Sequence, residues 1–149
     1  MLVKSLLIQE VSTRCEISMI EARKQRLKVM IIEDEEDILT LYNDYLSSKG
    51  YDVIARYTGA NNIKTDIERQ SADVYLIDSR LPGKKSGTDV ATEILDANPS
   101  APILFITADQ SQPQQIEKNP TFHHRNIDIL LKPVKLNEIE HSMLNLMNN

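Results

Sequence analysis

The sequence predicts an α/β domain built on a parallel sheet of five strands. From residue 27 onward, short β-branched and aliphatic runs alternate with longer amphipathic segments, which is the pattern of βα units. Three of the apolar runs are nearly continuous, as expected for strands that helices cover on both faces. The chain has 149 residues, 41% of them hydrophobic, which fits one domain with a complete core.

The strands are predicted from their apolar runs, which contain little but aliphatic and β-branched side chains. These runs are Leu27 to Ile32, Val53 to Ala55, Val74 to Ile77, Ile103 to Ile106, and Ile127 to Leu131.

Helical spacing of apolar residues predicts the intervening helices. The first is predicted over Glu35 to Lys49, with Ile38, Tyr42 and Tyr45 on its buried face and Leu41 beside them. Three more follow from apolar repeats, namely Ile63 with Ile67, Val90 with Ile94, and Leu136 with Ile139, Met143 and Leu146. Gln112 to Lys118 predicts only a weak helix, because Pro113 and Pro120 bracket it.

Residues 1–26 lie outside this alternation and are interpreted as an N-terminal extension to a domain over residues 27–149. The spacing of Val3, Leu7 and Val11 allows a short helix, and a disordered extension or translation from Met19 are the alternatives. The opening apolar run is too short for a signal peptide or a membrane span.

Charge and cysteine content narrow the function classes. The net charge of -5 disfavours nonspecific attraction to nucleic-acid phosphates. Cys15 is the single cysteine, so no intramolecular disulfide can form. We therefore expect a cytoplasmic protein with no direct nucleic-acid partner and no membrane partner.

Polar residues follow four of the five predicted strands. In a parallel sheet of this type, ligands bind at the carboxyl ends of the strands, so these side chains are expected to converge. They are Glu33 and Asp34 after the first strand, Asp78 after the third, Thr107 after the fourth and Lys132 after the fifth.

Carboxylates gathered in one pocket repel one another unless a cation lies between them, and Mg²⁺ prefers such oxygen ligands. A carboxylate in this setting can attack phosphorus to form an aspartyl phosphate. Asp78 is the best candidate nucleophile, because it ends the central strand and leaves Glu33 and Asp34 to hold the metal. Lys132 and Thr107 would then contact phosphoryl oxygens.

Four segments in this order resemble the receiver domains of bacterial and archaeal response regulators, from about Leu27 to Met147. They are Val29-Met30-Ile31-Ile32-Glu33-Asp34-Glu35, Val74-Tyr75-Leu76-Ile77-Asp78-Ser79-Arg80-Leu81-Pro82-Gly83 with Gly87 beyond, Phe105-Ile106-Thr107-Ala108, and Leu131-Lys132-Pro133. The resemblance implies a flavodoxin-like (βα)5 doubly wound sheet with strand order 2-1-3-4-5.

The resemblance also implies roles for individual residues. Asp78 would be the phosphoacceptor and Asp34 a direct Mg²⁺ ligand, with Glu33 acting through water and the backbone carbonyl of Arg80 facing the metal. Lys132 would pair with the phosphoryl group, and its peptide bond to Pro133 would be cis. Thr107 would move toward the phosphoryl oxygen.

Some residues depart from the family pattern. Glu33 replaces the more common Asp, and Ile129 stands where the family usually carries an aromatic residue or His. Arg80 and Asp109 occupy positions that tune phosphoryl lifetime in the family, and a salt bridge between them would partly shield the site. His123 and His124 are interpreted as exposed loop residues.

The function expected on this basis is that of a stand-alone phosphorylatable receiver rather than an enzyme acting on a separate substrate. Its partners would be a sensor histidine kinase or histidine phosphotransfer protein and a downstream protein target. The alternative is an interaction module of the same fold that no longer uses phosphate. A Mg²⁺-dependent phosphatase or nucleic-acid enzyme is disfavoured, because Arg80 occupies the place where those enzymes commonly need a second acid.

Overall fold

Five parallel strands form the centre of the computed structural model, which describes residues 13–19, 27–58 and 63–148. The strand order is β2-β1-β3-β4-β5, which confirms the predicted doubly wound α/β fold. The strands are β1 (Lys28–Ile32), β2 (Asp52–Tyr57), β3 (Val74–Asp78), β4 (Ile103–Thr107) and β5 (Ile127–Leu131). The helices are α1 (Glu36–Ser48), α2 (Ile63–Arg69), α3 (Gly87–Ala97), α4 (Gln112–Lys118) and α5 (Leu136–Met147), with a 3-10 turn at Pro120–Phe122.

Successive strand residues point to opposite faces of the sheet, so the core has two layers. One face packs on α2, α3 and α4, through side chains such as Ile32, Ile77 and Phe105. The other packs on α1 and α5, through Ile31 and Leu76 among others. Both faces are covered, which is why β1, β3 and β4 are continuously apolar.

The buried face of α1 differs from the prediction. Leu39, Tyr42 and Leu46 are buried, whereas the side chain of Leu41 is 51% exposed. Ile38 and Tyr45, predicted on the buried face with Tyr42, are only half-buried at its edge. Two apolar stripes that share Tyr42 exist on this helix, and packing against the sheet selects the one with leucines at both ends.

The predicted weak helix forms in full as α4. Pro113 lies in its first turn, where a missing backbone N–H removes no intrahelical hydrogen bond. Pro120 begins the 3-10 turn rather than disrupting α4, and this turn buries Phe122. The Phe122 ring meets Phe105 edge to face, with ring centroids 6.0 Å apart.

Within the predicted extension, residues 13–19 are helical and all of them are exposed. The predictions for Val3, Leu7 and Val11 lie outside the described residues, and the division at residue 26 stays a prediction. Among the helices that the structure describes, none is both long and apolar enough to cross a membrane.

Candidate functional site

Three of the predicted site residues meet because they share one face of the sheet. Glu33 continues β1, with its backbone N–H bonded to the Tyr57 carbonyl, and Lys132 continues β5, bonded in the same way to Thr107. By strand alternation Glu33, Asp78 and Lys132 belong to the α1/α5 face. Accordingly, Lys132 Nζ lies 3.3 Å from Glu33 Oε2 and 3.5 Å from Asp78 Oδ2.

Burial disfavours the ionised forms of the Glu33 and Asp78 carboxylates. Glu33 is 1% exposed and Asp78 is 7% exposed. Burial and the negative charge of Asp78 raise the pKa of Glu33 to about 8, although Lys132 opposes them. Burial also raises the pKa of Asp78, while a hydrogen bond from the Arg80 backbone N–H, 3.0 Å from Oδ1, counters part of that effect. A cation bound beside Glu33 and Asp78 would therefore stabilise the ionised forms of both carboxylates.

Lys132 and Asp34, in contrast, have pKa values that favour their charged forms. Burial disfavours the charged ammonium of Lys132, but the Asp78 and Glu33 carboxylates outweigh it and raise its pKa. Burial also opposes ionisation of Asp34, yet hydrogen bonds with Asp78 and Glu33 leave its pKa below the ordinary value. The Lys132-Pro133 peptide bond is cis, as predicted.

The donor set suits a hard divalent cation. Carboxylate oxygens of Glu33, Asp34 and Glu35 lie within 4.8 Å of one another. The Asp78 carboxylate lies beside this group, because the Lys132 ammonium contacts both Glu33 and Asp78. Mg²⁺ needs only one or two such ligands and fills its remaining positions with water or phosphate oxygens. Glu35 was not among the predicted ligands, and the predicted role of the Arg80 carbonyl stays a prediction.

Thr107 lies on the other face of the sheet, by the same alternation that places Phe105 there. It is fully buried, and its Oγ1 accepts hydrogen bonds from the Ser79 hydroxyl at 2.6 Å and the Asp109 N–H at 3.0 Å. Sequence reasoning missed Ser79. The strand register could have indicated it, because Asp78 pairs with Ile106, so the next residues on each strand are level.

Arg80 and Asp109 form the expected ion pair at the rim of the site, with Arg80 Nη2 3.2 Å from Asp109 Oδ2. The hydroxyl and backbone N–H of Ser111 also donate to Asp109. Ser111 first and Arg80 second lower the pKa of Asp109 to about 2. The Asp109 carboxylate is therefore held charged beside the site entrance.

Gly87 fixes the distance between α3 and the end of β3. Its N–H donates to the Ser79 carbonyl at 3.1 Å. A Cβ at this position would lie 2.2 Å from the Asp78 carbonyl oxygen and 2.7 Å from Ser79 Cα. Glycine is therefore required here for a close backbone approach, and the Ser86 capping box holds the helix start.

The remaining sequence candidates lie elsewhere or act through packing. Ile129 pairs with Phe105 across β4 and β5 and is half-buried in the α2/α3/α4 layer. His123 and His124 are exposed and precede β5, at the opposite end of the sheet from the site. His123 Nε2 is 2.8 Å from the Glu117 carbonyl.

The fold and the grouped acidic residues and lysine define the class of CheY-like receiver domains. A family model described as the response regulator receiver domain matches residues 29–144, and the chain belongs to that family of two-component signalling domains. The luminescence regulatory protein LuxO of Vibrio campbellii is 30% identical over 109 residues, which cover 73% of this chain and 23% of LuxO. The chain thus spans less than a quarter of that relative.

Solved structures agree on the fold. A CheY-like receiver domain protein from Methanospirillum hungatei has a TM-score of 0.70 and 19% identity, covering 82% of this chain and 94% of that one. The CheX–CheY–BeF3–Mg²⁺ complex from Borrelia burgdorferi has a TM-score of 0.69 and 14% identity, covering 80% of this chain and 88% of that one.

Proposed function

We propose that Asp78 accepts a phosphoryl group from a phospho-histidine donor with the help of Mg²⁺, and that the domain then signals through protein contacts. The observation that carries this proposal is the position of the Lys132 ammonium, 3.3 Å from Glu33 and 3.5 Å from Asp78 at the carboxyl edge of the sheet. An ammonium held there can follow an incoming phosphoryl oxygen, because it already faces the nucleophile.

The contacts of Asp78 assign its two oxygens different surroundings. Oδ1 accepts the Arg80 N–H, whereas Oδ2 faces Lys132. Oδ2 attacks the phosphorus as the P–N bond to the donor imidazole breaks, and the bonding electrons stay on the imidazole nitrogen. Lys132 shifts from the carboxylates to the phosphoryl oxygens during this transfer.

Asp34, Glu33 and Asp78 would hold the metal, with Glu35 within reach. When bound, Mg²⁺ would neutralise charge on the phosphoryl oxygens. The raised pKa values of the buried carboxylates support this assignment, since a divalent cation relieves the repulsion that burial intensifies. We propose that the domain catalyses only its own phosphorylation and dephosphorylation and does not act on a separate substrate.

The test is incubation with acetyl phosphate and Mg²⁺, followed by intact-mass measurement. Wild-type protein should gain one phosphate, and Asp78→Asn should gain none. Asp96→Asn, which changes an exposed aspartate on α3, is the matched control and should be phosphorylated normally. A wild-type protein that gains no phosphate from any donor would contradict the proposal.

A phosphate-independent interaction module is the second candidate. It is favoured by Ile129, which cannot offer the hydroxyl or ring contact expected at its position, and by Leu131, which is 44% exposed on edge strand β5. Under this alternative, a protein partner would bind wild type and Asp78→Asn with equal affinity in the presence of acetyl phosphate. A difference between them would favour the phosphorylatable receiver.

A further inference from the structure

The Thr107 hydroxyl has both of its acceptor positions filled. A hydroxyl oxygen offers two lone pairs and one proton. Ser79 Oγ donates to Thr107 Oγ1 at 2.6 Å, and the Asp109 backbone N–H donates to the same oxygen at 3.0 Å. The proton of Thr107 is therefore the one remaining hydrogen-bonding element of this group, and the described residues offer it no acceptor.

Ser79 is fixed firmly enough to impose this arrangement. Its side chain is 5% exposed, and its carbonyl accepts the Gly87 N–H at 3.1 Å. Because Gly87 has no side chain, the start of α3 packs directly against the Ser79 backbone. A Cβ at position 87 would lie only 2.7 Å from Ser79 Cα. A buried hydroxyl on a constrained backbone has few alternative partners, so its proton stays directed at Thr107.

Ser79 stands directly beside the phosphoacceptor, yet it faces the other side of the sheet. Asp78 follows the alternation of Leu76, whereas Ser79 and Thr107 follow that of Ile77 and Phe105. The hydrogen bond of the Ser79 hydroxyl accordingly goes to Thr107, which ends the neighbouring strand β4, and not to the acidic cluster.

We propose that Ser79 is a positioning residue whose hydroxyl, by donating to Thr107 Oγ1, leaves Thr107 only its proton to offer to a phosphoryl oxygen on Asp78. This inference rests on the proposed function, because the acceptor of the Thr107 proton is the phosphoryl group. Among the described residues, the Ser79 hydroxyl donates to Thr107 and to none of the proposed metal ligands. Its effect reaches the phosphoryl oxygen through one hydrogen bond.

The experiment uses BeF3−, a phosphoryl mimic that binds an aspartate carboxylate, with Mg²⁺. In Ser79→Ala, the Thr107 hydroxyl can turn and use its proton elsewhere, so half-saturation should require about threefold to tenfold more BeF3−, the range for one hydrogen bond. The ¹⁹F resonance of the fluorine nearest Thr107 should shift, because it loses its oriented donor. Ser71→Ala, an exposed serine before β3, is the matched control and should match wild type.

Two further measurements separate positioning from simple damage. Mg²⁺ affinity without BeF3− should be unchanged in Ser79→Ala, since a disturbed Asp78 loop would weaken both ligands together. In a Thr107→Val background, Ser79→Ala should have no further effect on BeF3− binding, because the group that it orients is gone. An additive loss in the double variant would overturn the positioning role.

The outcomes also separate this inference from the function on which it rests. Wild-type protein that binds BeF3− normally, together with Ser79→Ala that binds equally well or more tightly, would overturn the inference alone. Tighter binding would mean that Ser79 restrains Thr107 instead of orienting it. Wild-type protein that binds no BeF3− and gains no phosphate would overturn both.

Discussion

Replacing Gly87 by alanine sets two opposing effects against each other at the site. Alanine favours a helix by up to about 1 kcal/mol over glycine, so helix propensity alone predicts a more stable protein. The structure predicts the reverse. The added Cβ would lie 2.2 Å from the Asp78 carbonyl oxygen, about 1 Å short of the 3.4 Å at which ordinary contact begins.

The overlap is costly because its neighbours cannot move independently. The three nearest atoms, in Asp78 and Ser79, all belong to the backbone rather than to a flexible side chain. Relief therefore requires α3 or the end of β3 to shift. Overpacking of this kind costs about 1–3 kcal/mol, and we place Gly87→Ala at the upper end. After the gain in propensity, the net loss is about 1–2 kcal/mol, or a fall in Tm of a few degrees.

Thermal and urea unfolding of Gly87→Ala would measure this loss, and a BeF3− titration would report on the displaced site. Gly50→Ala is the control, because Gly50 has φ +94° after α1, at the opposite end of the sheet. It should lose about 1 kcal/mol through backbone strain while binding BeF3− normally. Gly87→Ala of wild-type or greater stability would refute the reasoning, since propensity would then outweigh the overlap.

Three further predictions follow from the charged groups. Without divalent cations, the free energy of unfolding should fall as pH rises from about 4.5 to about 8. The reason is that the folded protein keeps a proton on Glu33 that the unfolded chain has lost. Urea unfolding across this range should show a weaker pH dependence of the unfolding free energy for Glu33→Gln than for wild type. Lys132→Met should weaken BeF3− binding by about tenfold or more in titrations, because a charge-assisted hydrogen bond facing Asp78 is lost; unchanged binding would count against its role. Arg80→Ala should leave Tm almost unchanged, since the Arg80 side chain is 70% exposed. It should shorten the lifetime of the phosphorylated protein, because removing Arg80 opens the rim of the site beside Asp109. A decay rate equal to that of wild type in a phosphate-release assay would contradict this prediction.

The sequence predicts the fold well because both sheet faces are buried. Continuous apolar strands admit few other arrangements, and the polar residues that end them then share one edge. The same logic brings Glu33, Asp78 and Lys132 together without any knowledge of distances. It fails on α1, where two apolar stripes share Tyr42 and packing buries the stripe through Leu39 rather than the one through Ile38.

Other features depend on distances that periodicity does not encode. Ser79 is an ordinary small residue in the sequence, and its importance appears only when the register sets it level with Thr107. The contribution of Glu35 depends on how the chain turns after β1. Pro113 weakens the prediction for α4 because a proline penalty depends on position, and its place in the first turn becomes known only from the helix boundary.

Strand alternation also bears on how a phosphoryl group on Asp78 would be sensed. Asp78 and Lys132 lie on the α1/α5 face, whereas Thr107 belongs to the layer that contains Phe105 and Ile129. A movement of Thr107 toward Asp78 would therefore pull on an apolar layer in which Phe105 already contacts Phe122 edge to face. Ile129 can follow that movement only by repacking, because it has no polar atom in its side chain. We therefore expect phosphorylation to change aromatic packing around Phe105 rather than a hydroxyl contact at position 129.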